Sequence, residues 1–109
     1  MKAVCRAGLV IAVAVISGGQ SPEADRRVRI VNDSAHAIVG FYATNVTVRD
    51  WQESLLGAGT LQPGASLVLN FEDGSGYCRF RFRAVFDDGM DVVRESVNVC
   101  EVGTYRYAD

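Results

Sequence analysis

One histidine, one lysine and three cysteines are all that this 109-residue chain offers to the usual ligand and nucleophile chemistries. With His36 alone, imidazole-based acid–base work has a single candidate, and any other acid–base pair must come from carboxylates. There is no Cys-x-x-Cys, so a redox or zinc pair is not indicated. Neither a Gly-x-Ser-x-Gly elbow nor the EF-hand spacing occurs. Internal repeats, coiled-coil heptads and a sustained helical period are also missing. The longest apolar run, Ala7 to Ile16, is shorter than the roughly 20 residues that cross a bilayer.

What is present begins with an address. Lys2 and Arg6 precede that apolar run, and Ser17-Gly18-Gly19-Gln20 follows it with small residues. The order predicts a secretory signal peptide over residues 1–19, cut after Gly19, with no stable membrane span after cleavage. No Cys stands just after the run to carry a lipid anchor. Residues 20–26 are polar and read as a flexible leader. Residues 27–109 then form one small domain. Beyond residue 19 there are nine basic residues, all Arg, against thirteen acidic ones, a net charge of −4. That balance excludes nucleic acid and anionic membrane surfaces as natural partners. Cys5 leaves with the signal, so Cys78 and Cys100 remain as an even pair in an oxidising compartment and are expected to bond.

The hydrophobic period of this domain is two. Arg27 to Val31 alternates, Asn32-Asp33-Ser34 is turn chemistry, and His36 to Thr44 is rich in β-branched and aromatic residues. Asp50 and Glu53 stand at a capping-box spacing, which predicts one helical turn that would carry Trp51 and Leu55 on one side against a sheet edge. Gln62-Pro63-Gly64-Ala65 predicts a type II turn before the alternating strand Ser66 to Phe71. Cys78 to Phe86 sends Phe80, Phe82, Ala84 and Phe86 one way and Arg79, Arg81 and Arg83 the other. Asp87-Asp88-Gly89-Met90 turns the chain, Asp91 to Val99 returns, and Thr104 to Tyr107 makes a last strand. Six short strands between turn signals predict an all-β fold, a small antiparallel β-sandwich closed by Cys78–Cys100.

One conflict is built into that reading. The apolar pattern of the returning strand (Val93, Val97, Val99) wants Cys78 opposite Val99, whereas the disulfide wants it opposite Cys100. A slip of one residue exchanges the faces of a strand, so a β-bulge is expected, or else a bridge between strands that are not neighbours.

The order of Asn32-Asp33-Ser34, Trp51, Leu56-Gly57, Leu61, Pro63-Gly64, Cys78, Asp87-Asp88-Gly89 and Cys100 resembles a group of small exported bacterial proteins of unknown function. The likeness runs from about Val28 to Cys100. It implies a periplasmic or secreted β-domain and no activity. Proteins of that group often carry an acidic residue three positions after the first Cys; here that position is Arg81, and no site residue is carried over.

Four groups of side chains are candidates for chemistry. Asp87, Asp88 and Asp91 could present oxygen ligands to calcium from one turn, with Glu72 and Asp73 near enough in type to add to them; Asp-Asp-Gly is also ordinary hairpin sequence. Arg79, Arg81 and Arg83 form a guanidinium stripe suited to carboxylate or phosphate partners, or else a solvated face balanced by neighbouring acids. Trp51, Tyr42, Tyr105 and Tyr107 would mark a binding surface if exposed, and a core plug if not. His36 with Asp33 and Ser34 has the residue types of a triad but no oxyanion hole, and Asp33 and Ser34 suit turn formation better. Asn45-Val46-Thr47 matches the glycosylation triplet by chance in a bacterial-looking chain. The function expected from these residues is an exported, non-enzymatic binding module without a cofactor. It would meet an unknown protein partner through Trp51 and the arginine stripe. The alternatives are a calcium-stabilised envelope protein and a small secreted inhibitor or immunity-type protein.

Overall fold

The computed structural model describes residues 24–109, so the expected signal peptide and residues 20–23 of the leader lie outside the described residues. The six strands are β1 (Arg27–Asp33), β2 (Ile38–Asn45), β3 (Ser66–Asn70), β4 (Arg79–Phe86), β5 (Asp91–Asn98) and β6 (Thr104–Ala108). They form two three-stranded sheets, β3-β1-β6 and β2-β4-β5, packed face to face. Three of the four strand pairings are antiparallel; β1 and β6 run parallel, a detail the expected antiparallel sandwich did not contain. The two parallel strands are the first and last in chain order, so the sequence between them supplies the long crossover that parallel pairing requires.

Alternation explains the core. Val28 and Ile30 of β1, Leu67 and Leu69 of β3, and Tyr105 and Tyr107 of β6 face Phe80, Phe82 and Ala84 of β4 across the sandwich. Phe82 is fully buried at the centre, with ring centroids of Phe71, Phe41 and Tyr105 at 5.1, 5.2 and 5.2 Å. Phe71 stacks on Phe82 while Phe41 and Tyr105 meet it edge-to-face, and such aromatic pairs add about 0.5–1.5 kcal/mol each beyond area burial. The predicted turn at Pro63-Gly64 is made as expected: Ala65 N–H donates to Gln62 O at 2.9 Å, and Gly64 takes the φ of 84° that the third position of a type II turn demands.

Two bulges set which side chains face out. On β5, Phe80 pairs with Val97 and Phe82 with Arg94, so Glu95 and Ser96 together oppose Arg81. The register conflict at the cysteines is resolved elsewhere, in the turn after β5, where the ladder keeps Cys78 opposite Val99. Val99 N–H donates to Cys78 O at 2.8 Å, while the chain turns and Cys100 reaches Cys78 with a Cα–Cα distance of 5.3 Å. The bulge corrects the expected face of β5: Val97 and Val99 are buried, but Val93 lies beyond the bulge, points outward beside Arg83 and is 41% exposed. On β2, Val39 and Gly40 together oppose Val85, so Ile38 and Phe41 both reach the core and Tyr42 turns outward.

The capping-box helix does not form. Ser54, not Asp50, organises this segment: its hydroxyl accepts from Phe41 N–H at 3.1 Å and from Leu56 N–H at 3.2 Å. Leu55 N–H donates to Phe41 O at 2.7 Å, and Leu61 exchanges both backbone bonds with Ile38. Residues 54–61 thereby run along the free edge of β2 and cover it, which removes a template for strand addition. At the other end of the domain Arg26, in the segment read as leader, is buried and donates to Tyr77 O, Gly76 O and Glu72.

Candidate functional site

The outer face of the β2-β4-β5 sheet gathers the residues that the sequence singles out. Because Phe80, Phe82 and Ala84 point into the core, the intervening Arg79, Arg81 and Arg83 must point out. Beside them on β2, Tyr42 pairs with Arg83 in register. Its phenol lies across Gly40, where an added Cβ would stand 2.8 Å from the Tyr42 hydroxyl oxygen. Gly40 is therefore the clearance that lets the ring lie along the sheet.

The segment after β2 crosses this face. Arg81 Nη1 donates to Val48 O at 3.3 Å and Arg49 O at 3.2 Å, which holds the crossing chain down. Trp51 is delivered over the central strand, not to a sheet edge, with the Arg81 guanidinium 4.5 Å from its ring centroid. The Tyr42 ring follows at 6.5 Å from Trp51, and the Arg83 guanidinium stands 5.2 Å from the Tyr42 ring. Arg81, Trp51, Tyr42 and Arg83 thus form one ladder, two aromatic rings between two cations, each half-buried. Acids on β5 complete it: Arg81 pairs with Glu95 at 3.3 Å, and Arg83 grips both Asp91 carboxylate oxygens through Nε and Nη2. The Arg83 hydrogen bond, opposed by desolvation and aided by the Arg83 charge, holds the Asp91 carboxyl below its ordinary range. Arg79 is the exposed member, with Ser96 Oγ at 3.3 Å as its bond.

The other sequence-derived groups are redistributed. Tyr105 and Tyr107 leave the aromatic surface candidate, since both face the sheet-to-sheet core. Tyr107 is 6% exposed and its hydroxyl is buried without a hydrogen-bond partner. Burial first, and the neighbouring Tyr105 second, push its phenol well above the ordinary tyrosine range. The acidic turn divides: Asp91 is committed to Arg83, whereas Asp87 and Asp88 meet His36. His36 Nδ1 lies 2.9 Å from Asp87 Oδ1 and Nε2 lies 3.5 Å from Asp88 Oδ2. No local pattern announces this meeting, because it joins residues 51 apart in the chain. Glu72 and Asp73 sit elsewhere, with Glu72 on Arg26 and Asp73 on Asn45 and Ser75. Burial alone would raise the Asp73 carboxyl, but the Asn45 and Ser75 hydrogen bonds outweigh it and hold it below its ordinary value. Asp33 pairs with Arg106, and Ser34 bonds Asn32 and His36 O, so the triad types of that turn are not assembled as a triad. Between β5 and β6 the sandwich opens into a groove of about 500 Å³ whose walls include His36, Asp88, Arg94 and Tyr105.

No family model matches the chain. No curated relative matches it either. Among solved structures, the NMR structure of a protein from Eubacterium rectale is similar, with a TM-score of 0.50 at 14% sequence identity, covering 84% of this chain and 82% of that one. At that identity the likeness speaks to the fold alone.

Proposed function

We propose that this chain is an exported, non-enzymatic binding module that docks a protein partner on the outer face of its β2-β4-β5 sheet. The observation that carries the reading is the Arg81–Trp51–Tyr42–Arg83 ladder, half-exposed and flanked by the outward Val93. Trp, Tyr and Arg are the residues that dominate binding energy at protein interfaces. Here their rotamers are restrained before any partner arrives, by stacking and by the Glu95 and Asp91 pairs, which lowers the ordering cost of association. The Cys78–Cys100 bridge supports a working place outside the reducing cytosol, in the periplasm or beyond the cell. The non-enzymatic reading is supported by the one turn with triad residue types, where Asp33 pairs with Arg106 and Ser34 bonds Asn32 and His36 O in place of assembling on the His36 ring.

The test is capture from periplasmic and envelope extracts with the oxidised protein, beside Trp51→Ala and a variant with Arg79, Arg81 and Arg83 changed to Ser. A partner retained by the wild type and lost by a folded Trp51→Ala variant is the expected result. Equal capture by wild type and both variants would move the interaction off this face.

A further inference from the structure

We propose that His36 and Asp88 clip a divalent cation of the zinc class, with Asp87 as the residue that positions the imidazole. The site is separate from the Trp51 face and does not depend on it. His36 stands on the connection between β1 and β2, and Asp87 and Asp88 begin the β4–β5 turn. Asp87 N–H donates to Ala37 O at 2.9 Å, so the backbone fastens the two loops together before any side chain is considered.

The hydrogen-bond roles then follow in order. An ionised carboxylate only accepts, so Asp87 Oδ1, 2.9 Å from His36 Nδ1, requires the proton on Nδ1. In neutral imidazole that leaves the lone pair on Nε2. Nε2 faces Asp88 Oδ2 at 3.5 Å. The other Asp88 oxygen, Oδ1, accepts from Met90 N–H at 3.0 Å, which aims Oδ2 at the ring. Two lone-pair donors then face each other across 3.5 Å, a gap that a cation, a bridging water or a second proton can fill, and the spacing favours the cation. Tetrahedral zinc, with bonds of about 2.0–2.2 Å to nitrogen and oxygen, separates neighbouring ligand atoms by about 3.4 Å. The observed gap matches that edge. A carboxylate on the far nitrogen of a metal-binding histidine is the usual outer partner that fixes tautomer and ring direction, and Asp87 occupies that place.

The same geometry replaces calcium with a borderline metal. Asp91, the third carboxylate of the expected calcium turn, is held by Arg83, and a nitrogen donor takes its place. Calcium prefers an all-oxygen shell, whereas imidazole suits zinc and its neighbours. His36 and Asp88 both border the groove between β5 and β6, which leaves room for water in the remaining coordination positions.

The experiment is a Zn²⁺ titration of the metal-free, oxidised protein, read by calorimetry and by the imidazole nitrogen resonances. His36 is the sole histidine, so those resonances belong to it without ambiguity. The expected result is saturable one-to-one binding that shifts Nε2 and leaves Nδ1 protonated. His36→Ala and Asp88→Asn abolish it, Asp87→Asn weakens it by about 10- to 100-fold, and Asp91→Asn leaves it unchanged. All four positions are exposed, and a thermal melt of each variant verifies its fold. Zn²⁺ that leaves the His36 ring unmoved, or an Asp88→Asn variant that binds as the wild type does, overturns the proposal. So does an Nε2 found protonated at neutral pH and undisplaced by Zn²⁺, which would make the cluster an imidazolium between two carboxylates. Ca²⁺ that competes with Zn²⁺ at equal concentration would overturn the choice of metal.

Discussion

The Arg81 guanidinium lies over the Trp51 ring, 4.5 Å from its centroid. One arginine thereby joins the central strand of a sheet to the loop that crosses it. The same side chain donates to Val48 O and Arg49 O and pairs with Glu95, so charge, stacking and loop closure meet at one residue. Lysine reproduces the charge but neither the planar stack nor the fork of donors. Arg81→Lys is expected to lower stability by about 1 kcal/mol. Trp51, the chain's sole tryptophan, should shift its fluorescence toward that of a solvated indole. An unchanged melt and emission spectrum would show that the ladder holds nothing in place.

Tyr107 gives the opposite sign. Its hydroxyl is buried and makes no hydrogen bond. Tyr107→Phe removes that desolvated group without changing the ring and is expected to raise stability by about 1 kcal/mol or more, some 4–8 °C in Tm for a domain of this size. The pH dependence has a defined direction. Burial raises the folded-state pKa of Tyr107, so above the ordinary tyrosine value of about 10 the unfolded chain loses its proton first. Stability is then complete below pH of about 10 and falls as pH rises beyond it. Tyr107→Phe should flatten this alkaline limb in denaturant melts, with the residue from Tyr105, raised mainly by burial and opposed by Arg94, remaining.

Asn32 is the buried polar hub of the β1–β2 corner. Its amide donates to His36 O at 2.8 Å and Leu61 O at 2.9 Å, and its oxygen accepts from Ser34 N–H and Ser34 Oγ–H. Asn32→Ala removes one of two donors from each carbonyl, Ser34 Oγ–H remaining at His36 O and Ile38 N–H at Leu61 O, and takes the side-chain acceptor from Ser34 N–H. It is expected to cost about 1–2 kcal/mol, measured as a lower urea midpoint with the slope preserved. A cost under about 0.5 kcal/mol would mean that water replaces the amide freely.

Cys78 and Cys100 are 22 residues apart. Closing a loop of that size restricts the unfolded chain by about 3 kcal/mol. A Cys78→Ser/Cys100→Ser variant, or the reduced protein, should melt lower by the corresponding amount while keeping its strand content, because Phe82 and its neighbours do not rely on the bridge for contact. Loss of all strand signal on reduction would show that the core is too small to fold unaided.

Much of the fold was legible because period-two alternation is a local property. Phe80, Phe82, Ala84 and Phe86 announce β4 and its buried face, and Pro63-Gly64 announces its turn. The two incompatible demands at the cysteines pointed to a bulge or a bridge between distant strands, but the turn after β5 meets them, and the bulge at Glu95 and Ser96, which turns Val93 outward, had no local signal. What escaped were meetings set by topology. The parallel pairing of β1 with β6 and the approach of His36 to Asp87 and Asp88 join distant segments that carry no mutual signal. The capping box at Asp50 failed for a tertiary reason: Phe41 N–H on the β2 edge takes the Ser54 hydroxyl, and the segment follows that edge in place of coiling. Of the binding surface, the arginine stripe and Trp51 were visible separately. Tyr42 joins them only because the β2 bulge turns it outward above Gly40.

The most direct test of the proposed interaction face is site-specific photo-crosslinking with the oxidised protein in periplasmic and envelope extracts. A photoreactive residue at Val93 sits beside Arg83 on the outer face of β2-β4-β5, and the same residue at Val68, 46% exposed on β3, reports the opposite sheet. The account predicts a discrete adduct from position 93 that disappears when Trp51→Ala is added, and none from position 68. Adducts from position 68 alone, or an adduct at 93 indifferent to Trp51→Ala, would contradict it.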